Sequence, residues 1–125
     1  MKCQYCKGEV ALFGDSSFLY HGKNYGPVWV CTNYPQCNSY VGCHPGTITP
    51  LGSVANKELR LLRKQCHKEF DKMWKFQGYS RIRAYEILSQ MMHIKEPHIG
   101  EFDIEQCQQL LNILGNSSSI HRELL

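Results

Sequence analysis

Val28-Trp29-Val30-Cys31-Thr32-Asn33-Tyr34-Pro35-Gln36-Cys37 is a short apolar strand running into a turn that carries a cysteine at each end. Upstream, Cys3-Gln4-Tyr5-Cys6 holds a second pair, followed by Lys7 and Gly8. Two short-spaced pairs, about two dozen residues apart, can set four thiolates in a tetrahedron around one Zn2+. Cys3, Cys6, Cys31 and Cys37 are therefore the expected ligands. The residues between the pairs are rich in Gly and aromatics and contain no long amphipathic run. A stretch of about 50 residues of this kind seldom builds a sufficient core unaided, so the metal is expected to nucleate it.

Disulfides are the competing use of these thiols. The chain has seven cysteines, an odd number, and Met1-Lys2-Cys3 leads into the first pair with no apolar leader. Both features favour metal ligation in a reducing, cytoplasmic setting. No apolar run approaches the roughly 18–20 residues of a membrane span, so no membrane partner is expected. One ambiguity stays open in the sequence. Cys43 follows Cys37 at the spacing that separates Cys31 from Cys37, and His44 is adjacent, so either can replace a ligand or lie beside the site. Cys66 and Cys107 fall on apolar helix faces and read as buried thiols.

Working outward, residues 9–12 and 18–21 read as strands joined by Gly14-Asp15-Ser16, and residues 22–27 as a second turn. Residues 28–30 and 39–41 flank the second knuckle as strands. The expected fold is α+β. A zinc ribbon of antiparallel β-hairpins over residues 1–50 packs on a bundle of about three helices over residues 51–125, the two forming one compact unit.

The helical half begins with the cleanest periodicity in the chain. Between residues 55 and 75, Ala55, Leu59, Leu62, Cys66, Phe70 and Met73 share one face. Lys57, Arg60, Lys64, Lys68, Lys72 and Lys75 recur at steps of three or four on another. Glu58 and Glu69 lie on the flank of this stripe. Like charges at i,i+4 repel by roughly 0.2–0.5 kcal/mol per pair, which a phosphate backbone would relieve. Arg63, His67 and Asp71 form a second line at four-residue spacing. It reads either as a proton-handling or phosphate-contacting site or as a structural hydrogen-bond network. Gly78 ends this helix, Ser80 caps the next, and Arg81 and Arg83 stand at the end that the helix dipole disfavours. A third helix starts at Asp103-x-x-Gln106, carries Cys107, Leu110, Leu111 and Leu114, and is expected to stop at Gly115. Residues 116–119 read as a connector to a final turn over residues 120–125. His98 and Cys107 are too few ligands for a second metal.

The knuckles carry two resemblances. Cys31-Thr-Asn-Tyr-Pro-Gln-Cys37, preceded by a strand and paired with an upstream Cys-x-x-Cys, resembles the C-terminal zinc ribbons of bacterial type IA topoisomerases over about residues 1–42. Those ribbons bind DNA, largely single-stranded. More broadly, the run from Val28 to Thr47, Pro50-Leu51-Gly52, His67, Phe70, Asp71, Trp74, Ser80-Arg81, Ala84-Tyr85 and His98-Ile99-Gly100 resemble a zinc-finger-containing family of unknown function in phages and bacteria. That resemblance implies the fold, the zinc and a phage or prophage source.

Charge and aromatics frame the functional readings. The chain of 125 residues carries a net charge of +3, with ten Lys/Arg against four acids over residues 53–95 and one against five over residues 96–125. Eight rings crowd the ribbon (Tyr5, Phe13, Phe18, Tyr20, Tyr25, Trp29, Tyr34 and Tyr40), more than it can bury, so some are expected to stand exposed, Tyr34 at the knuckle tip first among them. The first reading is a nucleic-acid-binding module without catalysis that uses Tyr34 and the cations Lys57, Arg60, Lys64, Lys68 and Lys72. The second is a protein-interaction module that docks on a host protein. The third is a nuclease-like hydrolase centred on His67 and Asp71, which no further carboxylate or ligand set supports.

Overall fold

The computed structural model describes the backbone of residues 1–124 and the side chains of residues 1–114. Its short β-branched and aromatic runs become strands β1 (Val10–Phe13), β2 (Val28–Cys31) and β3 (Tyr40–Gly42). They form one antiparallel sheet in the order β1-β2-β3. Side chains alternate along each strand, so the register fixes two faces. Val10 pairs with Cys31, Leu12 with Trp29, and Trp29 with Val41, which puts these five on one face. Ala11, Phe13, Val28, Val30 and Tyr40 take the other. Cys3, Val10, Cys31 and Val54 form a buried cluster, with Trp29, Cys37 and Val41 packed against it. The first face thus carries the cysteines. Ala55 exchanges backbone hydrogen bonds with Tyr40 at 3.1 and 3.2 Å, which covers part of the outer edge of β3.

Residues 18–21 are not a strand. They lie in a hydrogen-bonded turn in which Leu19 N donates to Ser16 O and Gly22 N to Ser17 O, each at 2.9 Å. Local side chains outcompete strand pairing here. Asp15 Oδ1 accepts from Ser17 N at 2.7 Å, Asn24 Oδ1 accepts from Ser16 N and Gly26 N, and the buried Ser16 hydroxyl accepts from Tyr25 N at 2.8 Å.

The chain divides into two compact units, Met1–Arg60 and Leu61–Leu125. Helix α1 (Lys57–Phe76) starts in the first and continues in the second, where α2 (Arg81–Met92), a 3-10 turn (Ile99–Glu101) and α3 (Ile104–Leu124) follow. Asn56 caps α1, its Oδ1 accepting from Leu59 N at 3.0 Å. The core of the second unit consists of Cys66, Phe70 and Met73 from α1, Ala84, Leu88 and Met92 from α2, and Ile99, Phe102, Cys107 and Leu110 beyond. Gly78 takes φ +80° between α1 and α2, where a Cβ would be strained. The Ser80 hydroxyl accepts from Arg83 N at 3.1 Å and caps α2. Asp103 and Gln106 form a reciprocal capping box, with Gln106 N donating to Asp103 Oδ1 at 2.8 Å and Asp103 N to Gln106 Oε1 at 3.1 Å. α3 runs through Gly115 to Leu124 and does not stop there. One Gly costs a helix about 1 kcal/mol, and no proline follows it in this chain to end the helix outright. The expected connector over residues 116–119 is likewise helical, and Leu125 lies outside the described residues.

Candidate metal centre

Backbone hydrogen bonds close each knuckle before any side chain is considered. Lys7, at φ 64°, closes the first turn by donating its N–H to Cys3 O at 2.9 Å, and Cys3 N donates to Gly8 O at 2.8 Å. In the second, Cys37 N donates to Asn33 O at 2.9 Å across a cis Tyr34–Pro35 bond. These turns bring Cys3, Cys6, Cys31 and Cys37 together, with all four sulfurs within 4.8 Å of one another. Cys6 and Cys31 Sγ are 3.4 Å apart, Cys3 and Cys37 Sγ 3.7 Å. A tetrahedron with Zn–S of about 2.3 Å has edges near ~3.8 Å, so the set fits a four-coordinate metal. It is the one such cluster among the described residues, and neither Cys43 nor His44 belongs to it. Cys43 is engaged instead in a β-bridge to Pro50.

The four sulfurs are not equivalent. Cys3 and Cys31 are fully buried and Cys6 is exposed. Burial pushes the Cys31 thiol up to about 12. Cys6 falls to about 6, chiefly because Asn33 Nδ2 donates to its sulfur at 3.3 Å, with Gly8 N adding a second donor at 3.4 Å. A bound divalent cation would let all four lose their protons together. Gly8 is required by this arrangement, since a Cβ there would lie 2.8 Å from Asn33 Nδ2 and 3.3 Å from Cys6 Sγ.

Asn33 is the residue that cysteine spacing alone overlooked, although it sits inside the quoted motif. Replacing a partner of this kind lowers metal affinity by about 10- to 100-fold. Asn33→Ala is accordingly expected to weaken metal binding by that factor in a competitive chelator titration, with Thr32→Ala as the neighbouring control. Unchanged affinity would remove Asn33 from the site.

The other sheet face carries rings. Phe13, Phe18, Tyr34, Tyr40, Tyr20 and Tyr25 form an unbroken row, with successive centroids 5.4, 6.0, 6.4, 6.2 and 5.0 Å apart. The row contains Tyr34, but the knuckle-tip ring is half-buried by edge contacts to Phe18 and Tyr40. Phe13, Phe18 and Tyr25 are the exposed members, at 43%, 50% and 69%. Ser16 and Asn24, which the sequence places in turns, also fix the loop bearing Phe18 and Tyr25 through their side chains. Trp29 lies on the cysteine face, half-buried, with Nε1 donating to Ile48 O at 2.8 Å.

The expected cationic stripe is not uniform. Arg60 is a structural clamp, its guanidinium 3.7 Å from the Tyr40 ring centroid and donating to Asn38 O, Asn38 Oδ1 and Ala55 O. Lys72 pairs with the flanking Glu69 at 3.0 Å and Lys75 with Asp71 of the neighbouring line at 3.8 Å, so its end is neutralised. Lys57, Lys64 and Lys68 are exposed. The Arg63–His67–Asp71 line is engaged piecemeal. Arg63 is buried and donates from Nε to Phe102 O at 2.9 Å, while Asp71 accepts from Trp74 Nε1 at 3.0 Å. Desolvation lowers the His67 pKa against the pull of Asp71. Arg81 and Arg83 find partners within α2 itself, Arg83 with Glu86 at 2.9 Å and Arg81 at 5.8 Å from the Tyr85 ring. Among the described residues no helix is long and apolar enough to cross a membrane.

No curated protein and no solved structure matches the chain. A family model described as a zinc-finger-containing domain matches residues 1–117, nearly the whole sequence and all four clustered cysteines. With the cysteine tetrahedron in the first unit, that match places the chain in the family of zinc-finger-containing domains.

Proposed function

We propose that this protein is a zinc ribbon that binds single-stranded nucleic acid without catalysis. Zinc is the metal assigned, because four thiolates in a closed tetrahedron are its characteristic structural donor set. The observation that carries the reading is the row of six rings with Phe13, Phe18 and Tyr25 open to solvent. Bases stack on such a surface regardless of sequence, each worth about 1–3 kcal/mol. Exposed Lys57 in the first unit, and Lys64 and Lys68 in the second, supply charge for phosphates. A role for Asp71 in hydrolysis is disfavoured because Trp74 and Lys75 already engage its carboxylate.

The test is a titration of labelled single-stranded and duplex oligonucleotides at two salt concentrations. Affinity for the single strand should fall steeply with salt, and Lys64→Glu with Lys68→Glu should flatten that dependence. Phe18→Ala or Tyr25→Ala should weaken binding by roughly 5- to 150-fold per lost stack. Absent or salt-independent binding defeats the proposal.

A second reading has one observation behind it. The second unit holds a groove of about 720 Å³ lined by Ile82, Tyr85, Ser89, Pro97 and His98, and Ile82 is 75% exposed. Docking on a host protein would use such a groove. Recovery of one stoichiometric protein, insensitive to nuclease and lost in Ile82→Glu, would favour it.

A further inference from the structure

Two cysteines outside the metal cluster meet inside the second unit. Cys66 on α1 and Cys107 on α3 are both fully buried and stand 41 positions apart in the sequence. The Cys66 thiol donates to the Cys107 carbonyl oxygen at 3.5 Å, which sets the two cysteines side by side. Packing alone would be served by any two small apolar side chains at this helix contact. Cysteines placed this close can be joined once their sulfurs close to about 2.05 Å.

We propose that Cys66 and Cys107 form a modification site, which a two-electron thiol oxidant closes into a disulfide that staples α1 to α3. Diamide, an azodicarboxamide, supplies such an oxidant. The Cys107 sulfur adds as thiolate to one nitrogen of the N=N bond. The Cys66 sulfur, losing its proton, then attacks the Cys107 sulfur. The S–N bond breaks, its electron pair leaves with nitrogen, and both thiol protons end on the reduced hydrazine. The order of attack follows from the contact between the two groups. Contact with Cys107 and burial push the Cys66 thiol up, while the hydrogen bond from Cys66 lowers Cys107. Because both sulfurs are buried, the oxidant reaches them through local opening of the helices. Closing a 41-residue span restricts the unfolded chain, so the oxidised form melts higher.

The experiment treats the metal-loaded full chain with diamide, alkylates the remaining thiols and maps non-reduced tryptic peptides by mass spectrometry. Peptide 65–68 should appear joined to peptide 96–122, and Tm should rise by roughly 5–10 °C. Cys66→Ala, with Cys107→Ala as a second variant should the first fail to fold, must lose that rise. Separate recovery of the two peptides, each alkylated, under conditions that fully oxidise added glutathione would overturn the proposal. So would pairing of either cysteine with Cys3, Cys6, Cys31 or Cys37, or a variant that keeps the Tm rise.

Discussion

Removing the metal with a strong chelator is expected to unfold Met1–Arg60. Apparent binding energies of structural zinc reach about 10–16 kcal/mol at neutral pH, as large as the whole stability of an ordinary domain. The first unit has little to set against that loss. Its three strands span four, four and three residues, and the buried cluster on one sheet face is built around Cys3 and Cys31. Dispersed amide signals from β1, β2 and β3 should collapse on chelation and return when Zn2+ is added back. Cys31→Ser should mimic the chelator, whereas Cys43→Ser should leave metal content and spectrum unchanged, since Cys43 lies outside the tetrahedron. A Cys31→Ser protein with native sheet signals would contradict this.

Phe70→Ala is the second large effect, and it falls on the other unit. Phe70 is 1% exposed, and its ring centroid lies 4.6 Å from that of Tyr85. Truncating a buried Phe leaves a cavity and costs about 3–5 kcal/mol. The urea midpoint of the helical transition should fall accordingly, with Phe70→Leu losing a minor part. Metal content should stay unchanged, because all four ligands belong to Met1–Arg60. Metal loss in Phe70→Ala would show that the two units do not fold as separate compact bodies.

The cysteine tetrahedron was legible in the sequence because ligand spacing is a local property. Two knuckles impose their own turns, and the strands beside Cys31 and Cys37 follow from β-branched and aromatic runs. The capping positions were equally legible, since Ser80, Asp103 and Gln106 act within one helical turn. Three of the misreadings depend on contacts that sequence spacing does not carry. Residues 18–21 carry strand-forming rings, yet Asn24 and Ser16 bind the loop into turns. Arg60 matches the helical period of the lysines, but Asn38 and Tyr40 claim it from another part of the ribbon. Tyr34 sits at a knuckle tip, as expected, and is half-buried by Phe18, a neighbour that spacing could not bring there. The row of rings was visible as composition, whereas its continuity required the sheet register that places Phe13 and Tyr40 on the same face.

The most direct measurement is elemental analysis of protein purified without added metal, combined with native mass spectrometry. One zinc per chain, released stoichiometrically when Cys3, Cys6, Cys31 and Cys37 are alkylated, is the predicted result. A folded chain that holds no metal, or whose metal survives loss of these four thiols, would contradict it.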